Sequence, residues 1–174
     1  KMGTNVVYGG HPLLDTVKPS MSKDEAYSFF GLQQGKKTVL FMPGSRVQEV
    51  QSLYGKMLAA GKLLQDKVEG LQFMVPKAST IDRHMLEEAA REANLEVHIG
   101  EERVYDMMNI ADAAICASGT ATLETALMGV PTLLVYRVNV LTYWLSKILV
   151  HLDSIGLPNI ISGHRIMPEL WQDE

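Results

Sequence analysis

The sequence predicts an α/β fold, a parallel sheet covered by helices on both faces, and three observations predict it. Short apolar runs of strand length recur at residues 38–42, 71–75, 96–99, 113–117 and 132–136, the pattern of strands buried in a parallel sheet. Amphipathic stretches of helical period lie between them, joined by connections of a few residues, which makes the crossovers right-handed and covers both faces. The 174 residues, 47% hydrophobic and 21% charged, suffice to bury one substantial core. A single Rossmann-like domain over residues 1–174 is expected. Residues 1–37 read as an entry linker and helix, 38–137 as the core, and 138–174 as a C-terminal helical segment cut short.

Taken in order, residues 5–8 are a short strand candidate, followed by Gly9-Gly10-His11-Pro12-Leu13-Leu14-Asp15 and a polar stretch with Pro19 and Ser20. Ser22 with Glu25 three residues on is a capping box, so a helix is predicted to about Phe30, stopping at Gly31. Residues 38–42 form the first strong strand, ending in Pro43-Gly44-Ser45-Arg46. Residues 48–65 are helical, with Val50, Leu53, Met57, Gly61 and Leu64 on one face. The strand at 71–75 is stopped by Pro76. Residues 81–93 form an amphipathic helix, 96–99 a strand, 104–110 a short helix, 113–117 a strand, 120–128 a helix and 132–136 a further strand. In 138–152, Leu141, Trp144, Leu145, Ile148, Leu149 and Leu152 make an apolar stripe. It fits packing on the chain's own sheet, a dimer or interdomain contact, or an interfacial membrane helix flanked by Arg137, Lys147, His151, His164 and Arg165. Residues 155–162 read as a loop carrying Leu157-Pro158-Asn159, and 167–172 as the start of another helix.

Composition narrows the function classes. A formal net charge of -4 provides no basic field to hold a polyanion, so nucleic acid is not expected as a partner. The single cysteine, Cys116, lies in an apolar strand, which leaves no disulfide framework and no metal pair and fits a reducing cytosol. No apolar run reaches the roughly 18 residues of a membrane span, so the chain reads as soluble or at most peripheral. Neither Gly-x-Gly-x-x-Gly nor Gly-Lys-Ser/Thr is present, so a nucleotide would be held in another way. The five histidines show no metal spacing, there is no Asp-x-Asp, and neither Ser45 nor Ser118 has a histidine placed to activate it. Neither a metal, nor another cofactor, nor a covalent mechanism is implied.

The stretch that promises chemistry is Ala117-Ser118-Gly119-Thr120-Ala121-Thr122-Leu123-Glu124, read as strand, tight turn and helix. A helix starting there turns unpaired N–H groups of Gly119, Thr120 and Ala121 and its positive dipole end outward, a seat for an oxyanion. The same pattern also fits an ordinary strand–helix turn that binds nothing. Pro43-Gly44-Ser45-Arg46 is a second loop at a strand's carboxyl end, and open α/β sheets bind ligands along that edge.

Together with Gly10-His11-Pro12-Leu13-Leu14-Asp15, Ala111-Asp112, Gly129-Val130-Pro131, Tyr136-Arg137, Leu157-Pro158-Asn159 and Pro168-Glu169-Leu170-Trp171-Gln172, these loops form an ordered set. The set resembles the lipid-A-disaccharide synthases, inverting glycosyltransferases of GT-B fold with two Rossmann-like domains facing across a cleft. Departures are small: Met42 stands where the family usually has Leu, and Trp171 where it often has Leu. The resemblance implies transfer of a diacylated glucosamine from UDP to a diacylglucosamine 1-phosphate, with release of UDP. It also implies that this chain is the C-terminal, donor-binding half, inactive alone, with acceptor contacts and the general base in an N-terminal half. A cytoplasmic location, peripheral on the inner membrane, goes with it; contact with that membrane and a homodimer of the full-length protein stay open.

The resemblance assigns roles. Arg46 is expected to stabilise the departing diphosphate, because its planar fork holds two phosphate oxygens and keeps its charge. The residues alone also fit an exposed arginine paired with Glu49. Gly44, Ser45, Ser118, Gly119 and Thr120 are expected around the phosphates. Glu124 would accept from the ribose hydroxyls, although an acid near a helix amino terminus is common without any ligand. Val104 marks the expected uracil position, by analogy with related transferases, and Asn159 a contact to sugar or phosphate. Two other readings remain: a UDP-N-acetylglucosamine 2-epimerase-like enzyme, and a non-catalytic module that binds a nucleotide sugar or docks on a membrane.

Overall fold

A computed structural model describes residues 12–136 and 156–171. The strand expected at 5–8 and the apolar helix at 138–152 lie outside the described residues. Six strands form one parallel sheet: β1 (Thr38–Met42), β2 (Gln72–Pro76), β3 (His98–Gly100), β4 (Ala113–Ala117), β5 (Thr132–Tyr136) and β6 (Glu169–Trp171), in the order β3-β2-β1-β4-β5-β6. The helices are α1 (Leu13–Thr16), α2 (Lys23–Phe30), α3 (Val47–Gln65), α4 (Arg83–Glu92), α5 (Val104–Ile110), α6 (Thr120–Leu127) and α7 (Leu157–Ser162). None of the described helices is long and apolar enough to cross a membrane.

β1 shows why the sheet needs two covers. All five of its residues are buried, and the two-residue period sends alternate side chains to opposite faces. Val39 and Phe41 join Val50, Leu53, Met57 and Leu58 of α3 and Leu86 of α4. Leu40 and Met42 join Ala26 of α2, Met107 and Met108 of α5, and Leu134 of β5. On the first face Phe41 stacks on Phe73, with ring centroids 5.4 Å apart. Gly61 faces them from α3, where a Cβ would stand 2.8 Å from both Phe41 and Leu95; its missing side chain lets the helix approach the sheet.

Local signals set most boundaries. Ser22 Oγ accepts from the Glu25 N–H and the Glu25 carboxylate accepts from the Ser22 N–H, while Gly31 closes α2 in the left-handed conformation at φ 68°. Ser22→Ala removes that cap, and we expect a loss of about 1 kcal/mol in urea unfolding. α4 begins two residues later than the apolar period suggests, because Asp82 accepts from the His84 N–H as its cap while Ile81 enters the core instead.

Two expectations near the carboxyl terminus are corrected. Residues 157–162 form α7 rather than a loop, with Pro158 in the first turn, where its missing N–H costs nothing. Residues 169–171 form β6 rather than helix: the Leu134 N–H donates to Pro168 O at 2.9 Å, and Leu134 pairs with Glu169. The open edge of β5 offers bonds across the sheet to a segment too short to nucleate a helix alone.

Candidate functional site at the sheet's carboxyl edge

The strand order creates the site. From β1 the chain leaves through α3 on one face toward β2 and β3, then returns past β1 to β4 and leaves through α6 on the other face. β1 and β4 are adjacent and level, Met42 pairing with Cys116, so the loops after them diverge and leave a crevice at the switch point. A cleft of about 560 Å³ occupies it.

Gly44, Ser45, Arg46, Val104, Ser118, Gly119, Thr120 and Glu124 all line this cleft, so the sequence candidates from two distant loops meet in one place. In the β1–α3 loop, Gly44 stands at φ 105°, a conformation that favours glycine, and a Cβ there would also press on the Glu49 side chain, 2.5 Å from its Oε2. The Thr80 hydroxyl pins the loop from the side by donating to Ser45 O at 2.5 Å. Arg46 precedes α3 with its side chain 80% exposed, and its Nη1 contacts Glu49 Oε1 at 2.5 Å. An exposed pair of this kind contributes at most about 1 kcal/mol, so it does not tie the guanidinium to Glu49.

Across the crevice, α6 starts without a side-chain cap. Gly119 is extended, so its backbone would suit any residue, and a Cβ there would stand in open space with nothing within 4 Å. The Thr122 hydroxyl and N–H both bond Gly119 O, which braces the turn beneath the first exposed N–H groups. Glu124, half-buried one turn on, accepts from the Tyr105 hydroxyl at 2.9 Å. Burial, and to a smaller extent the Glu124 charge, push the Cys116 thiol up to about 12, so it stays protonated.

Asn159 departs from its expected role. It sits on α7, 2% exposed and away from the cleft lining. Its Nδ2 donates to Met167 O at 2.8 Å and Glu169 Oε1 at 2.6 Å, while its Oδ1 accepts from the N–H groups of Ile166 and Met167. An amide has two donor hydrogens and two acceptor lone pairs. With all four engaged, Asn159 has nothing to offer a substrate; it clamps the turn that leads into β6.

The cleft also contains residues that no motif announced. Lys77 follows β2 with its side chain 16% exposed and its Nζ near Ile81 O and Glu101. Arg103 is held left-handed at φ 61° ahead of α5, donates to Ser20 Oγ at 2.8 Å and lies over the Phe29 ring. The usable signal was positional: a residue just past a parallel strand faces the sheet's carboxyl edge. Arg46, Lys77 and Arg103 are set against Glu49, Glu101, Glu102 and Glu124, so the lining has no basic excess. An anion would be held by local N–H groups and one exposed arginine rather than by a broad field. Among the described residues no group of three His, Cys, Asp or Glu side chains could hold a metal ion.

Solved structures with this architecture include WaaG, a glycosyltransferase involved in lipopolysaccharide biosynthesis, at 14% identity and TM-score 0.52, covering 94% of this chain and 41% of that one. E. coli ADP-heptose lps heptosyltransferase II matches at 14% identity and TM-score 0.53, over 86% of this chain and 42% of that one. At such identities the likeness concerns the fold. Sequence relatives are much nearer. The lipid-A-disaccharide synthase of Geobacter metallireducens is 44% identical over 174 residues, and that of Geobacter sulfurreducens 41%. In both, all of this chain is matched, and it spans 45% of the relative's length. The family model described as lipid-A-disaccharide synthetase matches residues 1–174, which sets the epimerase-like reading aside: the chain belongs to the lipid-A-disaccharide synthetase family.

Proposed function

We propose that this chain is the donor-binding, C-terminal half of a GT-B enzyme that transfers diacylglucosamine from UDP-2,3-diacylglucosamine to 2,3-diacylglucosamine 1-phosphate. The observation that carries the reading is the convergence of Arg46 and the uncapped start of α6 on one cleft at the switch point. In this mechanism an acceptor hydroxyl oxygen attacks the anomeric carbon from one face and the bond to the diphosphate oxygen breaks on the other. The attacking hydroxyl's proton passes to a base, which we assign to the part of the enzyme beyond this chain.

Negative charge then builds on UDP, and the barrier falls if fixed dipoles and charges meet it in place. The N–H groups of Gly119, Thr120 and Ala121 and the α6 dipole supply the fixed part. Arg46 supplies the charge. Glu124 accepts from the ribose, Val104 marks the uracil position, and Gly44, Ser45 and Ser118 shape the floor. A diacylated donor and acceptor fit an enzyme peripheral on the cytoplasmic face of the inner membrane, with the apolar stripe of residues 138–152 as one route to that surface or to a second copy.

Calorimetric titration of the 174-residue chain with UDP, UMP and uridine tests the donor site. We expect affinity to fall at each step as phosphates are removed. Absence of UDP binding, or equal affinity for UDP and uridine, would overturn the phosphate seat.

A further inference from the structure

Glu124 reaches the cleft from α6, but what holds its carboxylate comes from another element. The Tyr105 hydroxyl on α5 donates to Glu124 Oε1 at 2.9 Å, and among the described residues it is the only hydrogen-bond partner of that carboxylate. Among the described residues, none donates to Oε2. Tyr105 does not itself line the cleft, whereas its neighbour Val104 does.

The helix that carries Tyr105 is itself anchored. The next residue, Asp106, is 1% exposed and accepts from the N–H groups of Ser20 and Met21 and from the Ser20 hydroxyl. The phenol thus works from a fixed base. Its own pKa is raised, first by burial and then by the bond to Glu124, so it remains a donor at neutral pH.

A carboxylate that is to accept from two adjacent hydroxyls must present free lone pairs in a single orientation. A half-exposed glutamate without a partner samples several rotamers and loses entropy when a ligand selects one. A phenol donor on one oxygen removes that freedom in advance and still leaves acceptor capacity, since two carboxylate oxygens offer about four lone-pair sites.

We propose that Tyr105 is a positioning residue for sugar recognition: it pre-orients the Glu124 carboxylate so that the site binds ribose in preference to 2′-deoxyribose. The inference rests on the reading of Glu124 as the ribose acceptor. Tyr105 touches no substrate and acts only through Glu124.

The experiment compares affinities for UDP and 2′-deoxy-UDP in the 174-residue chain, its Tyr105→Phe and Glu124→Gln variants and the double variant, with thermal unfolding as a check on folding. Phe preserves the ring and removes only the hydroxyl. Unmodified protein should prefer UDP by about tenfold, the scale of one hydrogen bond to a charged group. Tyr105→Phe should erase most of that preference by weakening UDP while leaving 2′-deoxy-UDP unchanged. The double variant should match Glu124→Gln.

If Glu124→Gln abolishes the preference while Tyr105→Phe keeps it, the positioning role is overturned and the ribose reading stands. If Glu124→Gln itself keeps the preference, the ribose reading falls and the role of Tyr105 falls with it. Equal weakening of both ligands by Tyr105→Phe, or additive effects in the double variant, would reduce Tyr105 to a packing residue and overturn the proposal.

Discussion

Arg46→Ala in the full-length enzyme is expected to lower the transfer rate by about 100- to 1,000-fold, the loss that follows removal of one preorganised partner of transition-state charge. The fold should be untouched. The side chain is 80% exposed and its pair with Glu49 is a surface contact, so thermal stability should change by less than about 1 kcal/mol. Because charge on the diphosphate grows as the glycosidic bond breaks, the loss should fall mainly on kcat, with a smaller rise in KM. Arg46→Lys should recover part of the rate, since it restores charge but not the two-pronged geometry. Turnover by Arg46→Ala within a few-fold of the unmodified enzyme would remove Arg46 from the chemistry and leave its pairing with Glu49 as its whole role.

Asp106→Ala should be a strongly destabilising substitution, with a loss of about 2 kcal/mol in urea unfolding at pH 7. Its carboxylate is 1% exposed and takes bonds of 2.7 Å from both the N–H and the hydroxyl of Ser20, with a third of 3.0 Å from the Met21 N–H. Removing it takes the acceptor from the half-buried bonds of Ser20 and Met21 and unties the segment leading into α2 from α5. Burial alone would raise the carboxyl pKa. It is outweighed by the Ser20 hydroxyl, the Met21 and Ser20 N–H groups and the Arg103 charge, so the folded value lies below the ordinary 3.8.

The sign for stability follows. A carboxylate depressed in the folded state contributes fully above its unfolded pKa, and the contribution is lost as pH falls through the folded value. Unmodified protein should therefore lose stability below about pH 4, while Asp106→Ala should show a shallower acid dependence. Parallel acid profiles would contradict this account. Because Arg103 shares Ser20 and lines the cleft, the variant should also weaken UDP binding, although Asp106 does not line the cleft itself.

Element by element, the sequence was most informative where the signal is local. The helix at Val104–Ile110 and the strands at Ala113–Ala117 and Thr132–Tyr136 fall where the apolar runs place them, because each is bounded by residues that change backbone preference within a turn. The capping box at Ser22 and the glycine at position 31 are short-range chemistry and needed no tertiary context. Alternating strands and helices implied a parallel sheet with two covers, and the split of Val39 and Phe41 from Leu40 and Met42 is that pattern in three dimensions. The two loops that meet in the cleft could be anticipated as a pair because handed crossovers leave few places for strand ends to lie.

Other features depend on partners far away in the chain. β6 is a strand because β5 presents an unpaired edge beside it; in sequence, residues 167–172 fit a helix equally well. Asn159 becomes a fully bonded clamp only once Met167 and Glu169 fold against it, so an amide beside a proline reads as a site candidate until those partners are known. Lys77, Arg103 and Tyr105 reach the cleft or its supports through strand order and helix packing, which no spacing encodes.

By itself, then, the sequence determined the fold class, the main elements and the two loops able to face an anion, since periodicity, caps and turn residues act over a few positions. Tertiary structure alone decided which carboxylate is held by which phenol, which polar side chains are already spent on the protein, and which cations share the cleft. Those outcomes are contests between backbone and side-chain partners separated by tens of residues, and burial settles them.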